Sequence, residues 1–311
     1  MKIAPWIKSS AIGINNITIR HQEKKMNWIS IDQEKCDGCK SCVVSCPRCF
    51  SKQDGIIVAQ ADIDNCNLCG HCLALCKPQA IVHEKMDMNN FPEVDSDANF
   101  DTKTFIQFIR NRRSHRHFKN KAIPKEDLET LIDTCRYAPT GSNVQTVEII
   151  VLQDQDRIKK LSDLTVDVFA KLGEQAKKAI ERLKADGKEI PETVLRGKMY
   201  GERLQESREA GLDPIFHRSP VVMIFHSPKL SSTPKDNCVI ASTTLSLLAR
   251  TMRIESTYIG LFVGAAKDNP EILGELQLPP DNEIYSVLIM GYPRLKFHYT
   301  VDRKPIKTRW E

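Results

Sequence analysis

Apolar residues along this chain recur with two periods, and the two periods separate its elements. Leu128, Leu131, Ile132 and Cys135 stand at i, i+3, i+4 and i+7 behind Pro124. That spacing predicts an amphipathic helix ending before Pro139. Cys238, Ala241, Leu245, Leu248 and Met252 make a second apolar stripe, so Cys135 and Cys238 are expected in packing roles. Short β-rich runs, Val147 to Leu152, Val221 to Phe225 and Tyr285 to Met290, predict buried strands of a central sheet. Between about 168 and 210 the chain is highly charged, with Leu172, Ala176, Ile180 and Leu183 on one helical face. This segment is expected to form one or two helices lying over a site or a partner subunit. Near the other end, Trp28 to Ile31 reads as a first strand.

With 311 residues the chain has room for two domains. Its net charge of +5 is modest for that length, and no Lys/Arg block of the kind that grips nucleic acid is present. No run of eighteen apolar residues occurs, so no membrane span is expected. Residues 1–26 are basic but lack the continuous apolar core of a signal peptide, and read as an N-terminal extension. Residues 86–102 carry Asp87, Glu93, Asp95, Asp97 and Asp101 with no base, and read as an acidic linker. A 27–85 domain and a 103–311 domain are thereby separated.

Eight of the eleven cysteines fall into two copies of one pattern, Cys36-Asp-Gly-Cys39-Lys-Ser-Cys42-Val-Val-Ser-Cys46 and Cys66-Asn-Leu-Cys69-Gly-His-Cys72-Leu-Ala-Leu-Cys76. Three closely spaced thiolates can face one iron–sulfur cubane while the fourth turns toward its neighbour. Zinc modules usually set their C-x2-C pairs more than ten residues apart, and a third cysteine so close does not suit them. A disulfide framework finds no support in a secretory signal. Reduced clusters are damaged by oxygen, and a cytoplasmic setting is expected.

These motifs resemble the bacterial-type ferredoxin domain with two [4Fe-4S] clusters. The resemblance implies that Cys36, Cys39 and Cys42 bind one cluster with Cys76, and that Cys66, Cys69 and Cys72 bind the other with Cys46. Pro47 follows Cys46 as in that family, whereas Lys77 follows Cys76 and the proline comes one place later as Pro78. Cys49 is surplus to the pattern and is expected to be a small buried or redox-sensitive thiol.

Arg112-Arg113-Ser114-His115-Arg116 is followed, after the predicted helix, by Ala138-Pro139-Thr140-Gly141-Ser142-Asn143-Val144-Gln145. Taken alone, the first is a solvated basic face and the second an ordinary turn. Their order and spacing, with Gly291-Tyr292-Pro293 and then Arg303 and Lys304, resemble the flavin-binding nitroreductase family. That resemblance implies an α+β fold, a small ferredoxin-like domain followed by an FMN domain with a mainly antiparallel central sheet flanked by helices. It also implies a homodimer with the flavin at the interface. Arg112, Ser114 and Arg303 would hold the FMN phosphate, with Lys304 a weaker candidate. Arg116 would stand by the pyrimidine edge. Pro139, Ser142 and Asn143 would line the flavin, Gln145 would support them, and Gly260 and Leu261 would present backbone near N5. No side chain is assigned as catalytic acid or base.

Clusters carry electrons singly and a flavin handles one or two, so the joined chain is expected to be an oxidoreductase feeding an organic acceptor: a nitroaromatic, quinone or activated alkene. The electron donor would be NAD(P)H or an external ferredoxin. No Gly-x-Gly-x-x-Gly phosphate loop for a tightly held nucleotide is present. The alternative is a relay protein whose clusters and FMN serve a partner enzyme without a small-molecule substrate of its own.

Overall fold

A computed structural model describes residues 28–60 and 66–311; the expected extension at 1–26 lies outside the described residues. The chain divides into two compact units, Met1–Val94 and Asp95–Glu311.

In the first unit, strand β1 (Ile29–Ile31) pairs antiparallel with β4 (Ile81–His83), and β2 (Phe50–Gln53) with β3 (Ile56–Ala59). Two five-residue helices, α1 (Ser41–Ser45) and α2 (His71–Leu75), follow the cysteine loops. Each loop turns through two left-handed residues, Gly38 (φ 72°) and Lys40 (φ 63°) in one and Leu68 (φ 55°) and Gly70 (φ 72°) in the other. The same strained positions thirty residues apart curl both loops alike. The core is small, built on Ile29, Phe50, Leu73 and Ile81 with Cys49 and Cys72. Met86, Met88 and Phe91 pack against it, so the start of the acidic segment belongs with this unit. The Phe91 ring would stand 3.0 Å from any Cβ on Gly70, a second reason for glycine there.

The second unit is a four-stranded antiparallel sheet in the order β5 (Glu148–Leu152), β6 (Val221–Pro228), β8 (Asn282–Gly291), β7 (Glu255–Tyr258). Along β6 the side chains alternate between two cores. Val222 and Ile224 join α5 (Gln155–Ala185), α8 (Gly260–Ala266) and α9 (Pro270–Leu276), whereas Val221, Met223 and Phe225 join α4 (Lys125–Thr134) and α7 (Pro234–Thr251). Burial on both faces explains the unbroken apolar run. A bulge at Phe225/His226 leaves Tyr285 unpaired, which brings Ile284 and Val287 to the same face. Cys238 is fully buried on α7 and Cys135 partly so, in the packing roles expected.

The charged excursion is a helical hairpin of α5 and α6 (Glu192–Glu209). Its α5 partner begins earlier than the charge pattern suggests, at an N-cap where Asp154 accepts from the Asp156 and Arg157 amides. The helices touch through backbone: a Cβ on Gly173 would lie 3.0 Å from Gly201 Cα. Ile180 is buried but Leu172 is 46% exposed, so the packed stripe runs through Gly173 instead.

Candidate functional site

The first unit brings the cysteines together in the two crossed groups expected from sequence. Cys36, Cys39, Cys42 and Cys76 line one cavity together with Ile31, Ile57, Pro78 and Ala80. Burial pushes the Cys42 thiol up, and the nearby Cys76 and Cys36 add to the shift. In the other set, burial raises Cys72 to about 11, with Cys46, Cys66 and Cys69 contributing. Thiols so crowded resist ionisation unless cations neutralise them, and a coordinating metal deprotonates a thiol outright. The donor set therefore fits iron–sulfur clusters. The Ala80 amide donates to Cys76 Sγ at 3.3 Å, and His83 Nε2 lies 3.8 Å from Cys66 Sγ. Cys49 is 0% exposed and packs against Cys46 and Cys72. Its thiol is raised to about 12, by burial first and then by the Cys46 hydrogen bond.

In the second unit, α3 (Thr102–Asn111) opens on an N-cap in which Asp101 accepts from the Thr104 amide, and Arg112 caps its other end. Arg112, Arg113 and Arg303 share one open cavity with Arg110 and Asp302. Within the arginine pair that starts the basic motif, Arg113 Nε is buried without a hydrogen-bond partner. An orphaned guanidinium donor beside three further arginines suits an anionic group such as a phosphate. Ser114 and Arg116 are exposed on the same stretch.

The basic segment is stapled to the sheet edge. The His115 amide donates to the Ser256 carbonyl at 3.2 Å, and β7 runs on from there toward Gly260 and Leu261 at the start of α8. Arg250 at the end of α7 faces Glu255 across 3.8 Å. Arg113, Arg250 and Glu255 were not singled out from sequence. Arg113 was legible as a neighbour of Arg112, whereas the other two meet His115 only through tertiary packing.

Pro139, Ser142 and Asn143 stand elsewhere. Their loop is held by the first turn of α7, where Asn237 Oδ1 accepts from the Gly141 amide at 2.9 Å. The Gln145 amide donates to Thr140 Oγ1 at 3.2 Å. Ser142 (φ 54°), Asn143 (φ 56°) and Gln145 (φ 49°) are all left-handed, a concentration of backbone strain within one short loop. Asn237 at the start of α7 and Arg250 near its end are thirteen residues apart, a rise of about 20 Å along that helix. Within one chain the Ser142 and Asn143 loop is held at the start of α7, and the basic segment meets β7, the strand that follows the end of α7.

Among the described residues no helix is long and apolar enough to cross a membrane. Comparison with known proteins places both halves. The nitroreductase family profile matches residues 109–292, and a 4Fe-4S binding domain profile matches residues 29–48. A protein of Archaeoglobus fulgidus bearing the name NADH dehydrogenase/NAD(P)H nitroreductase is 24% identical over 194 residues, 61% of this chain and 85% of its own. An iron-sulfur protein of the Frd operon of Proteus vulgaris is 33% identical over 74 residues, covering 18% of this chain and 47% of that protein. Among solved structures, a nitroreductase with bound FMN from Desulfitobacterium hafniense superposes with a TM-score of 0.51 at 19% identity, over 68% of this chain and all of that one. The fold, the basic motif leading into its sheet and the profile match over more than half the length agree: this chain belongs to the nitroreductase family and carries a 4Fe-4S binding domain ahead of it.

Proposed function

We propose that the protein is an FMN-dependent oxidoreductase that takes single electrons through two [4Fe-4S] clusters and delivers them to an organic acceptor of the nitroaromatic, quinone or activated-alkene class. One observation carries this reading: the arginine cavity, with its unpartnered Arg113 Nε, occurs on a chain that also gathers two four-cysteine sets. When bound, FMN supplies a two-electron store and the clusters one-electron steps.

The chain's own residues have distinct tasks in this reading. Arg112, Ser114 and Arg303 hold the phosphate by guanidinium forks and a hydroxyl, and Arg113 adds a donor. Arg116 places positive charge at the pyrimidine edge, and the backbone at Gly260 and Leu261 faces N5. Pro139, Ser142 and Asn143 act from a second copy of the chain, a reading supported by their loop being held at the start of α7 while the basic segment meets the strand after its end. A homodimer with two composite sites follows. The electron donor is NAD(P)H or an external reduced ferredoxin.

Anaerobic purification with metal, sulfide and flavin analysis tests the cofactors, and turnover with NADPH, NADH or reduced ferredoxin against an acceptor panel tests the activity. About eight iron and eight sulfide per chain are expected for two four-iron clusters, with one FMN. Stoichiometric zinc in place of iron, or a fully loaded protein that reduces no small acceptor, overturns the reading.

A further inference from the structure

We propose that His83 is a fixed hydrogen-bond donor to the Cys66 sulfur, and that it raises the potential of the cluster held by Cys66, Cys69, Cys72 and Cys46. The inference rests on the reading of these cysteines as cluster ligands.

The direction of the hydrogen bond follows from the other side of the ring. His83 Nδ1 accepts the Lys85 backbone N–H at 3.2 Å. An imidazole nitrogen that accepts carries no proton, so the ring's proton sits on Nε2. Nε2 lies 3.8 Å from Cys66 Sγ, within reach of a sulfur acceptor, and its N–H donates there. The ring is held in place. His83 is 5% exposed on β4, and Trp28 meets it edge to face at 5.3 Å between centroids. Lys85 Nζ covers the outer face of Trp28 at 3.7 Å. A donor immobilised in such a poorly solvated place acts more strongly than an exposed one.

The two halves of the domain repeat at thirty residues, so the counterpart of His83 in the first half is Gln53. Gln53 is exposed, and its Nε2 donates to Ser51 Oγ at 3.2 Å. This side-chain donor is therefore a feature of one half only, the other set receiving the Ala80 backbone amide at Cys76 Sγ instead. One-electron reduction adds one negative charge to a cluster, shared with its cysteine sulfurs. A hydrogen bond to such a sulfur favours the reduced form and moves the potential upward.

The test is an anaerobic, EPR-monitored redox titration of the full-length protein with both clusters loaded, comparing wild type, His83→Phe and His83→Gln. Phenylalanine keeps the ring against Trp28 and removes both nitrogens, while glutamine restores an N–H near the position of Nε2. His83→Phe is expected to lower the reduction equilibrium of one cluster by about tenfold, equal to about 59 mV for one electron, and to leave the other unmoved. His83→Gln is expected to recover most of that shift. Two waves that stay where they are in His83→Phe, or a His83→Gln wave displaced as far as that of His83→Phe, overturn the proposal. Where His83→Phe loses iron, the same comparison is made between wild type and His83→Gln, alongside pulsed EPR of wild type labelled with nitrogen-15 histidine. A histidine nitrogen coupled to the reduced cluster in wild type is expected, and its absence overturns the proposal. Iron and sulfide analysis of wild type separately tests the ligand reading: zinc there removes the clusters themselves, whereas full iron with unmoved potentials removes only the role of His83.

Discussion

His115 Nε2 lies 3.7 Å from Glu255 Oε2, with both side chains largely withdrawn from solvent. His115 belongs to the basic segment and Glu255 to the edge strand β7, so this contact fixes the segment that offers Arg112 and Ser114. Burial, then Arg250, Arg112 and Arg113, hold His115 below the ordinary histidine range. It is therefore neutral near pH 7. Burial also pushes Glu255 up, opposed by Arg250 and Arg112, which leaves Arg250 as the main counter-charge to its carboxylate.

Glu255→Ala leaves the Arg250 guanidinium buried with a lost counter-charge. A loss of about 3 kcal/mol is expected on removing one partner of a buried pair. Chemical denaturation should show that Glu255→Ala/Arg250→Met recovers a substantial part of it. Equal stability of wild type and Glu255→Ala would show that the pair has no structural role.

His115, His217 and His226 all titrate below the ordinary histidine value of 6.5, burial being the first cause in each. Below 6.5 the unfolded chain takes up protons that these folded sites resist, so each site costs stability as pH falls through that window. Glu255 acts in the opposite sense, because its raised folded pKa relieves strain on acidification toward 4.5. Three sites outweigh one, and the thermal midpoint of the second unit should fall between about pH 7.5 and 5.5. His226→Gln should flatten that slope, and an unchanged slope would remove His226 from the account.

A Cβ on Gly201 would lie 2.7 Å from both Gly173 Cα and the Phe169 carbonyl oxygen, backbone atoms that cannot swing aside. Gly201→Ala should destabilise the α5–α6 hairpin by about 1 to 3 kcal/mol, as overpacking does. Gly197→Ala meets only Ala176 Cβ at 3.6 Å. It should be neutral or stabilising by up to about 1 kcal/mol from helix propensity. Denaturant melts of the two variants check the contrast, and equal effects would contradict the close backbone contact.

Arg112→Ala should weaken FMN binding by about 1.5 to 3 kcal/mol, the range for a hydrogen bond to a charged group. Riboflavin, which lacks the phosphate, should distinguish little between wild type and variant. Fluorescence titration of flavin-free protein measures both. Equal FMN affinity in the two proteins would put the phosphate away from the cavity of Arg112 and Arg303.

Much of this was legible in the chain. Strand β6 announced itself because Val221 to Phe225 are buried on both faces, but its continuation through His226 and Ser227 did not. There polar residues are buried and satisfied by partners, as Asn282 Nδ2 donates to His226 Nδ1 at 2.8 Å. Strand β7 was not legible, because its sequence Glu-Ser-Thr-Tyr has no apolar alternation. Ser256 is buried through its hydroxyl contact with Ser246, at 2.8 Å. The two cysteine motifs were readable because their spacing is local, whereas the His83 to Cys66 approach spans seventeen residues and depends on how β4 packs. The placement of the Ser142 and Asn143 loop at the start of α7 could not be read either. It is set by the placement of α7, to which neither motif contributes a residue.

The central claim is that the clusters feed the flavin, and anaerobic stopped-flow spectroscopy of Cys39→Ala against wild type tests it most directly. With reduced ferredoxin as external donor, cluster and flavin bleaching are followed separately. The proposed flavin residues lie in 112–145, 258–261 and 303–304, all within the second unit, so the variant should retain FMN. The account predicts that flavin reduction by the external donor is abolished in Cys39→Ala, while chemical reduction of its flavin and transfer to an acceptor survive. Flavin reduced by that donor as fast in the variant as in wild type would contradict it.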